Sequence, residues 1–135
     1  MVFLTGLLTR GRFRRPLFYL DAHWYSTLPL IEELRTILES IESFVIVIDD
    51  FKVPDEVNFG FDHYGNTDVE WKLIERVLVD SGVPMVAYLP AYPSSVEVGD
   101  TRGWILISSI DNQQLISQAV PMDLLKVHAV LGTCT

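Results

Sequence analysis

Two short apolar stretches of the chain each end in acidic residues. Phe18-Tyr19-Leu20 is followed by Asp21, and Phe44-Val45-Ile46-Val47-Ile48 is followed by Asp49 and Asp50. Continuous apolar runs of this kind are typical of strands buried on both faces, as in a parallel sheet that is covered by helices. The pattern therefore predicts a buried strand at each position, with acid at its carboxyl end.

Helical periodicity follows each of these predicted strands. Apolar residues recur at helical spacing over about 29–41 and again over about 68–80, and this spacing predicts two amphipathic helices. Apolar runs at about 84–89 and 103–108 predict two more strands, and the short polar linker between them favours an antiparallel pair. A helix or turn is expected near 112–119, and the segment 122–131 is open to the same interpretation.

The order of these elements predicts an α/β fold in one domain over residues 1–135. Alternating strands and helices indicate a mixed sheet that is mostly parallel, with a C-terminal antiparallel hairpin and helices on its faces. Residues 1–15 are interpreted as an N-terminal flank and residues 109–135 as a C-terminal extension.

Composition and charge narrow the possible partners. The 135 residues are 49% hydrophobic and carry a formal net charge of −8, which argues against nucleic acid or an anionic membrane as a partner. Four arginines (Arg10, Arg12, Arg14 and Arg15) are interpreted as solvated flank rather than a phosphate-binding arm. Because Cys134 is the single cysteine, the chain has no internal disulfide, and we expect a cytoplasmic protein without a signal peptide or spanning segment.

The acidic strand ends are the candidate site. Ligands of open α/β sheets bind in the crevice at the carboxyl ends of the strands, so two neighbouring strands would bring Asp21, Asp49 and Asp50 around one point. Three carboxylates so placed are suited to a hard cation such as Mg²⁺. The alternative is structural: Asp21 would cap the loop or helix that follows it, and of Asp49 and Asp50 one would face solvent and the other would cap the next turn. The long polar segment 52–66 comes directly after the second strand and is expected to cover the crevice.

Other chemically interesting side chains have both functional and structural interpretations. His23 is a candidate base or ligand, or it packs its ring beside Trp24. His63 is an alternative base in the long segment, or it is a loop residue without a chemical role. Lys52 either contacts an anionic substrate or is solvated. Cys134 has no neighbour in the sequence that would make it a nucleophile.

The two acid-ended motifs resemble those of a known family. Leu20-Asp21-Ala22-His23-Trp24 is similar to the strand-end motif of the metal-dependent O-methyltransferases, among which the catechol-type enzymes carry a Leu-Asp-His-Trp. Ile46-Val47-Ile48-Asp49-Asp50 resembles their next strand, and the macrolide sugar O-methyltransferase and cephalosporin-hydroxylase-like branch has the same layout. The resemblance covers about residues 16–108 and is to the C-terminal half of class I S-adenosylmethionine-dependent methyltransferases. It implies that the α/β domain is a partial Rossmann-like methyltransferase sheet.

The resemblance implies a function and a set of site residues. Asp21, Asp49 and Asp50 would be Mg²⁺ ligands, and the reaction would transfer a methyl group from S-adenosylmethionine to a hydroxyl of a small molecule or sugar. His23 and Tyr25 are the catalytic candidates, Tyr25 standing where the catechol-type enzymes place a lysine base. No residue is assigned to S-adenosylmethionine, because no glycine-rich turn follows a first strand.

Because the glycine-rich turn of the family is missing, three interpretations stay open. The first is a truncated methyltransferase, and the second is a non-catalytic remnant that acts as a metal-binding or interaction module. A third alternative is an unrelated α/β domain that binds a phosphate-bearing ligand through Mg²⁺. A strand 17–21 without its usual neighbour would form an open sheet edge, which predicts either a homo-oligomer or a poorly soluble protein.

Overall fold

The computed structural model of the protein describes residues 14–21 and 28–133. Within these residues a five-stranded sheet and a two-stranded hairpin are accompanied by three α-helices. The strands are β1 (Leu17–Leu20), β2 (Val45–Asp49), β3 (His63–Tyr64), β4 (Thr67–Asp68), β5 (Met85–Pro90), β6 (Trp104–Ser109) and β7 (Leu125–Leu131). The helices are α1 (Leu30–Ser40), α2 (Trp71–Asp80) and α3 (Gln113–Ala119).

The large sheet has the strand order β1-β2-β6-β5-β7. The β1 and β2 strands are parallel, as the sequence predicted, and β5 and β6 form the predicted antiparallel pair. The prediction that the sheet is mostly parallel is wrong, because β2–β6, β6–β5 and β5–β7 are all antiparallel. The strand β6 inserts between β2 and β5 instead of lying outside them. An apolar run indicates that a strand is buried but does not indicate its direction or its neighbours. The sequence pattern therefore could not predict the antiparallel pairing or the position of β6.

One face of the sheet carries the main core. The helices α1 and α2 contact each other and pack their apolar stripes on this face. The fully buried residues of the stripes include Leu34 and Ile37 from α1, and Ile74 and Leu78 from α2. Burial of each such side chain stabilises the fold by roughly 1.5–3 kcal/mol, so the amphipathic pattern accounts for the position of both helices.

The opposite face of the sheet has a smaller core. Val45, Val86, Tyr88 and Leu106 are buried there beneath Ile116 of α3. The prediction that the first strand is buried on both faces is wrong, because its burial alternates. On this second face Leu17 is 66% exposed and Tyr19 is 59% exposed, since β1 lies beyond the area that α3 covers.

Two segments differ from their predicted structure. Residues 125–131 form β7 rather than a helix, and they pair with β5 along its whole length. The backbone hydrogen bonds that this pairing provides outweigh the weak helical pattern of the segment. Within the long segment 52–66 and just beyond it, β3 and β4 form a hairpin whose turn contains Gly65 at φ +61°. Among the described residues no helix is long and apolar enough to cross a membrane.

Candidate metal centre at the strand ends

The parallel pairing of β1 and β2 places three acidic residues together. The register sets Leu20 beside Ile48, so the residues that follow them, Asp21 and Asp49, are neighbours at the same edge of the sheet. One carboxylate oxygen from each of Asp21, Asp49 and Asp50 lies within 4.8 Å of the other two. The structure therefore brings together the three residues that the sequence singled out, which we call the acid cluster.

The cluster borders a small cleft. Its walls include the three acids together with Asp62 and Tyr64, and its volume is about 20 Å³. A space of this size holds about one water molecule or one ion. The cleft is therefore too small for an organic substrate and suited in size to a single cation.

Asp50 has an unusual backbone conformation. Its φ of 53° lies in the left-handed region, which costs a residue with a Cβ roughly 1–2 kcal/mol. Aspartate tolerates this region better than most residues because its side chain forms local hydrogen bonds. Here the Asp50 N–H donates to Oδ1 of Asp49 at 2.9 Å, and the Asp50 carboxylate is turned inward, with 13% of its side chain exposed.

Arg102 neutralises part of the negative charge beside the cluster. Its Nε donates to Oδ1 of Asp50 and its Nη2 donates to Oδ1 of Asp62. The hydrogen bond to Asp50, followed by the attraction of the Asp50 and Asp62 charges, raises the pKa of the guanidinium against the effect of its burial. The guanidinium therefore stays charged and holds two acidic residues from opposite ends of one loop.

The backbone around Arg102 depends on two glycines. The Gly60 N–H donates to the Thr101 carbonyl at 2.7 Å, and the Gly103 N–H donates to the Gly60 carbonyl at 2.8 Å. A Cβ on Gly103 would lie 2.0 Å from the Phe51 carbonyl oxygen, so no larger residue fits without moving the backbone. This close approach is what brings Arg102 within reach of Asp50.

Tyr19 supports the cluster from the second face of the sheet. Its hydroxyl donates to Oδ2 of Asp49. That hydrogen bond, then burial and the nearby negative charges, raise the pKa of Tyr19 to about 12. Tyr64, which lines the cleft, also has a raised pKa, first because of burial and then because of the charges of Asp62, Asp50 and Asp21.

A larger apolar cavity lies beside the cluster on the second face. It has a volume of about 370 Å³ and is open to solvent. Tyr19, Tyr92, Trp104 and Leu106 contribute to its walls, and Asp49 is the acidic residue at its border. An aromatic-lined cavity that touches a carboxylate of the cluster can hold a planar or apolar group close to the acids.

The remaining sequence candidates are outside the described residues or are not members of the acid cluster. His23 and Tyr25, the catalytic candidates, fall outside the described residues, as does Cys134. His63 is exposed in β3, where it pairs with Asp68 of β4. Lys52 forms an ion pair with Asp68 of the hairpin at 2.9 Å and lies 5.0 Å from the centre of the Phe61 ring.

Sequence analysis did not place Arg102, Asp62 or Tyr19 in the site. Tyr19 precedes Asp21 by two residues, and residues two apart in a strand lie on one face, so that signal was present. The contact of Arg102 with Asp50 depends on β6 pairing with β2, in a register that sets Trp104 beside Asp49. Because the sequence predicted no such pairing, Arg102 had no assigned partner.

Comparison with known proteins adds no family to this description. No family model, curated protein or solved structure matches the chain.

Proposed function

We propose that the chain provides the metal-holding part of a site for methyl transfer from S-adenosylmethionine to a hydroxyl of a small molecule or sugar. The observation that carries the proposal is the convergence of Asp21, Asp49 and Asp50 at the ends of two parallel strands. S-adenosylmethionine is proposed because the two strand-end motifs resemble those of metal-dependent O-methyltransferases. The divalent cation is proposed because of that resemblance and because of the convergence of the three acids.

The donor set fits a hard divalent cation. Carboxylate oxygens bind Mg²⁺ at about 2.0–2.1 Å, so oxygens around one ion lie roughly 3–4 Å apart. The three carboxylate oxygens, within 4.8 Å of one another, reach that geometry after small side-chain rotations. The three acids of the cluster and Asp62 are four acidic residues beside one positive charge, that of Arg102. A cation would relieve the mutual repulsion of their carboxylates.

A bound divalent cation would act as a Lewis acid that lowers the pKa of an acceptor hydroxyl. The residues of the chain would do the rest of the positioning. Tyr19 fixes the Asp49 carboxylate through Oδ2, and Arg102 fixes Asp50 through Oδ1. Each acid then keeps its second oxygen in a set direction, which reduces the reorganisation needed to bind a ligand.

The apolar cavity on the second face supplies a place for the acceptor. Tyr19, Tyr92 and Trp104 offer aromatic surface, and Asp49 forms the polar border next to the cluster. An acceptor that stacks there would direct a hydroxyl group toward the acids. The proposed acceptor is therefore a small molecule with one flat or apolar side and one hydroxyl-bearing side.

Calorimetric titration tests the proposal. The protein should bind Mg²⁺ with a stoichiometry of one, and Asp49→Asn should abolish that binding because it removes a charged ligand while keeping the side-chain shape. Asp80→Asn, an exposed acid at the end of α2 and outside the cluster, is the matched control and should bind Mg²⁺ normally.

A second titration, with S-adenosylmethionine, separates the two parts of the proposal. Binding of both ligands supports the methyltransferase site. Binding of Mg²⁺ alone supports a metal-binding module and contradicts methyl transfer by this chain. Binding of neither contradicts the proposal and leaves the acids as a structural network held by Tyr19 and Arg102.

A further inference from the structure

Among the described residues, the outer edge of β1 is one of the two edges of the five-stranded sheet. In the part of the chain that the structure describes, β1 is a terminal strand and pairs with β2 alone. Proteins protect such edges with charged residues, prolines or bulges inside the strand. The β1 residues, Leu17–Leu20, include none of these.

The other terminal strand carries protection of this kind. The exposed Lys126 lies within β7, and a bulge interrupts the β7 pairing between Ala87 and Tyr88 of β5. A bulge and a lysine both oppose the addition of another strand. The contrast between the two edges points to β1 as the strand that accepts a partner.

The direction of the β1 backbone groups determines which residues a partner strand would meet. The Val45 N–H donates to the Pro16 carbonyl at 3.0 Å, and backbone groups alternate sides along a strand. The groups of Phe18 and Leu20 therefore point toward β2, and those of Leu17 and Tyr19 point to the open edge. The backbone of Pro16 also faces β2, so the N–H that proline lacks does not remove a hydrogen-bond donor from the open edge.

We propose that the open edge of β1 pairs with β1 of a second copy of the chain in an antiparallel, two-fold symmetric dimer. With Phe18 at the two-fold axis, Leu17 of each copy lies opposite Tyr19 of the other, and their outward backbone groups form a hydrogen-bonded pair. The exposed Leu17 and Tyr19 side chains then lie side by side on the second face, where cross-strand aromatic and aliphatic pairs are favourable.

Charge supports this register and this occupant. The same alignment sets Arg15, just before β1, opposite Asp21 of the other copy, and the symmetry repeats the pair. Both side chains are exposed, so neither has to lose a buried environment. A parallel arrangement would instead set like charges beside each other, because the basic flank precedes the strand and the acid follows it.

Sedimentation velocity over a range of protein concentrations tests the proposal, with a chelator present so that the outcome does not depend on metal binding. The short strand predicts a reversible dimer whose fraction rises with concentration. Leu17→Lys should give a monomer, because the lysine interrupts the open edge at an exposed position. Val127→Lys is the matched control: it alters a 54% exposed residue of the opposite edge strand and should still dimerise.

Charge reversal tests the register. Arg15→Glu and Asp21→Arg should each weaken dimerisation by about tenfold, because each sets like charges opposite one another twice. An equimolar mixture of the two variants should recover the dimer, since each mixed pair restores opposite charges. The mixture is also a control. If Arg15→Glu acted by breaking a contact of Arg15 within its own chain, mixing the variants would not restore that contact, and the dimer would not recover.

Three outcomes contradict the proposal. The wild-type chain could be a monomer at every concentration, as it would be if another segment of the same chain occupied the β1 edge. Val127→Lys, and not Leu17→Lys, could dissociate the dimer. Finally, the mixed charge variants could fail to associate more tightly than either variant alone.

Discussion

At the scale of single residues, Arg102 connects the acid cluster to the loop that follows β2. Arg102→Gln should lower the free energy of unfolding by about 1–2 kcal/mol, because it removes the positive charge that is paired with the largely buried Asp50 carboxylate. Arg76→Gln is the control: its ion pair with Asp80 at 3.6 Å lies on the surface with both side chains mostly exposed, and its loss should cost less than about 0.5 kcal/mol. Urea unfolding measures both values, and equal effects would contradict the anchoring role of Arg102.

The raised pKa of Tyr19 makes the stability of the protein depend on pH. Its pKa is about 12 in the folded protein and 10.0 without the fold, so the folded state keeps the proton more tightly. The stabilisation is fully present below pH 10 and is lost as the pH rises toward 12. The variant Tyr19→Phe has no hydroxyl, so this pH-dependent contribution to stability is absent from it at every pH.

The stability of wild type relative to Tyr19→Phe should therefore fall between pH 10 and 12, as measured by urea unfolding at several pH values. Comparison with the variant removes the contributions of the other tyrosines, which both proteins share. A constant difference across this range would show that the hydroxyl of Tyr19 does not donate to Asp49 in solution.

These residues also show how far sequence reasoning reached into the site. The three acids were predictable, because each follows an apolar run and the ends of neighbouring parallel strands meet. Arg102 was not predictable in the same way, since its contact with Asp50 depends on a pairing across 52 positions of sequence. The roles of His23 and Tyr25 remain predictions.

At the scale of elements, the start of β6 is packed against the end of β2 through Gly103. Gly103→Ala should destabilise the protein by about 3 kcal/mol, because the new Cβ would overlap the Phe51 carbonyl and the backbone has no side-chain rotation to relieve it. Thermal unfolding measures the change. The substitution should also weaken the contact of Arg102 with Asp50.

Gly99→Ala provides the control for this prediction. Gly99 has φ +92°, and a Cβ added there would have no atom within 4 Å, so an alanine meets backbone strain but no steric overlap. The expected cost is about 1 kcal/mol. If both variants lost the same stability, close packing of β6 against Phe51 would not be the reason for glycine at position 103.

Elements were predicted well where one strong periodicity acted alone. The helices α1 and α2 follow from their apolar stripes, and β1, β2, β5 and β6 follow from their apolar runs. The strand β7 was missed because Leu125–Leu131 suits either a helix or a strand, and pairing with β5 selects the strand. The β3–β4 hairpin was missed because two-residue strands leave little periodicity to detect.

At the scale of the whole molecule, the direction of the strands was the main error. The chain order gave the β1–β2 crossover and the β5–β6 hairpin correctly, but the position of β6 between β2 and β5 depends on contacts distant in sequence. That position matters for the site, because it carries Arg102 to the acids and lays Trp104 beside Asp49. The arrangement of the sheet therefore completes a site that the two acid-ended strands begin.

The central claim is that the acid cluster holds one divalent cation, and anomalous diffraction from crystals soaked in Mn²⁺ tests it most directly. Manganese shares the preference of Mg²⁺ for carboxylate oxygens and can be located by its anomalous signal. The account predicts one strong peak at about 2.0–2.3 Å from oxygens of Asp21, Asp49 and Asp50, and its loss in Asp49→Asn crystals. A cluster without a peak at saturating Mn²⁺, or a peak that persists in Asp49→Asn, would contradict the account.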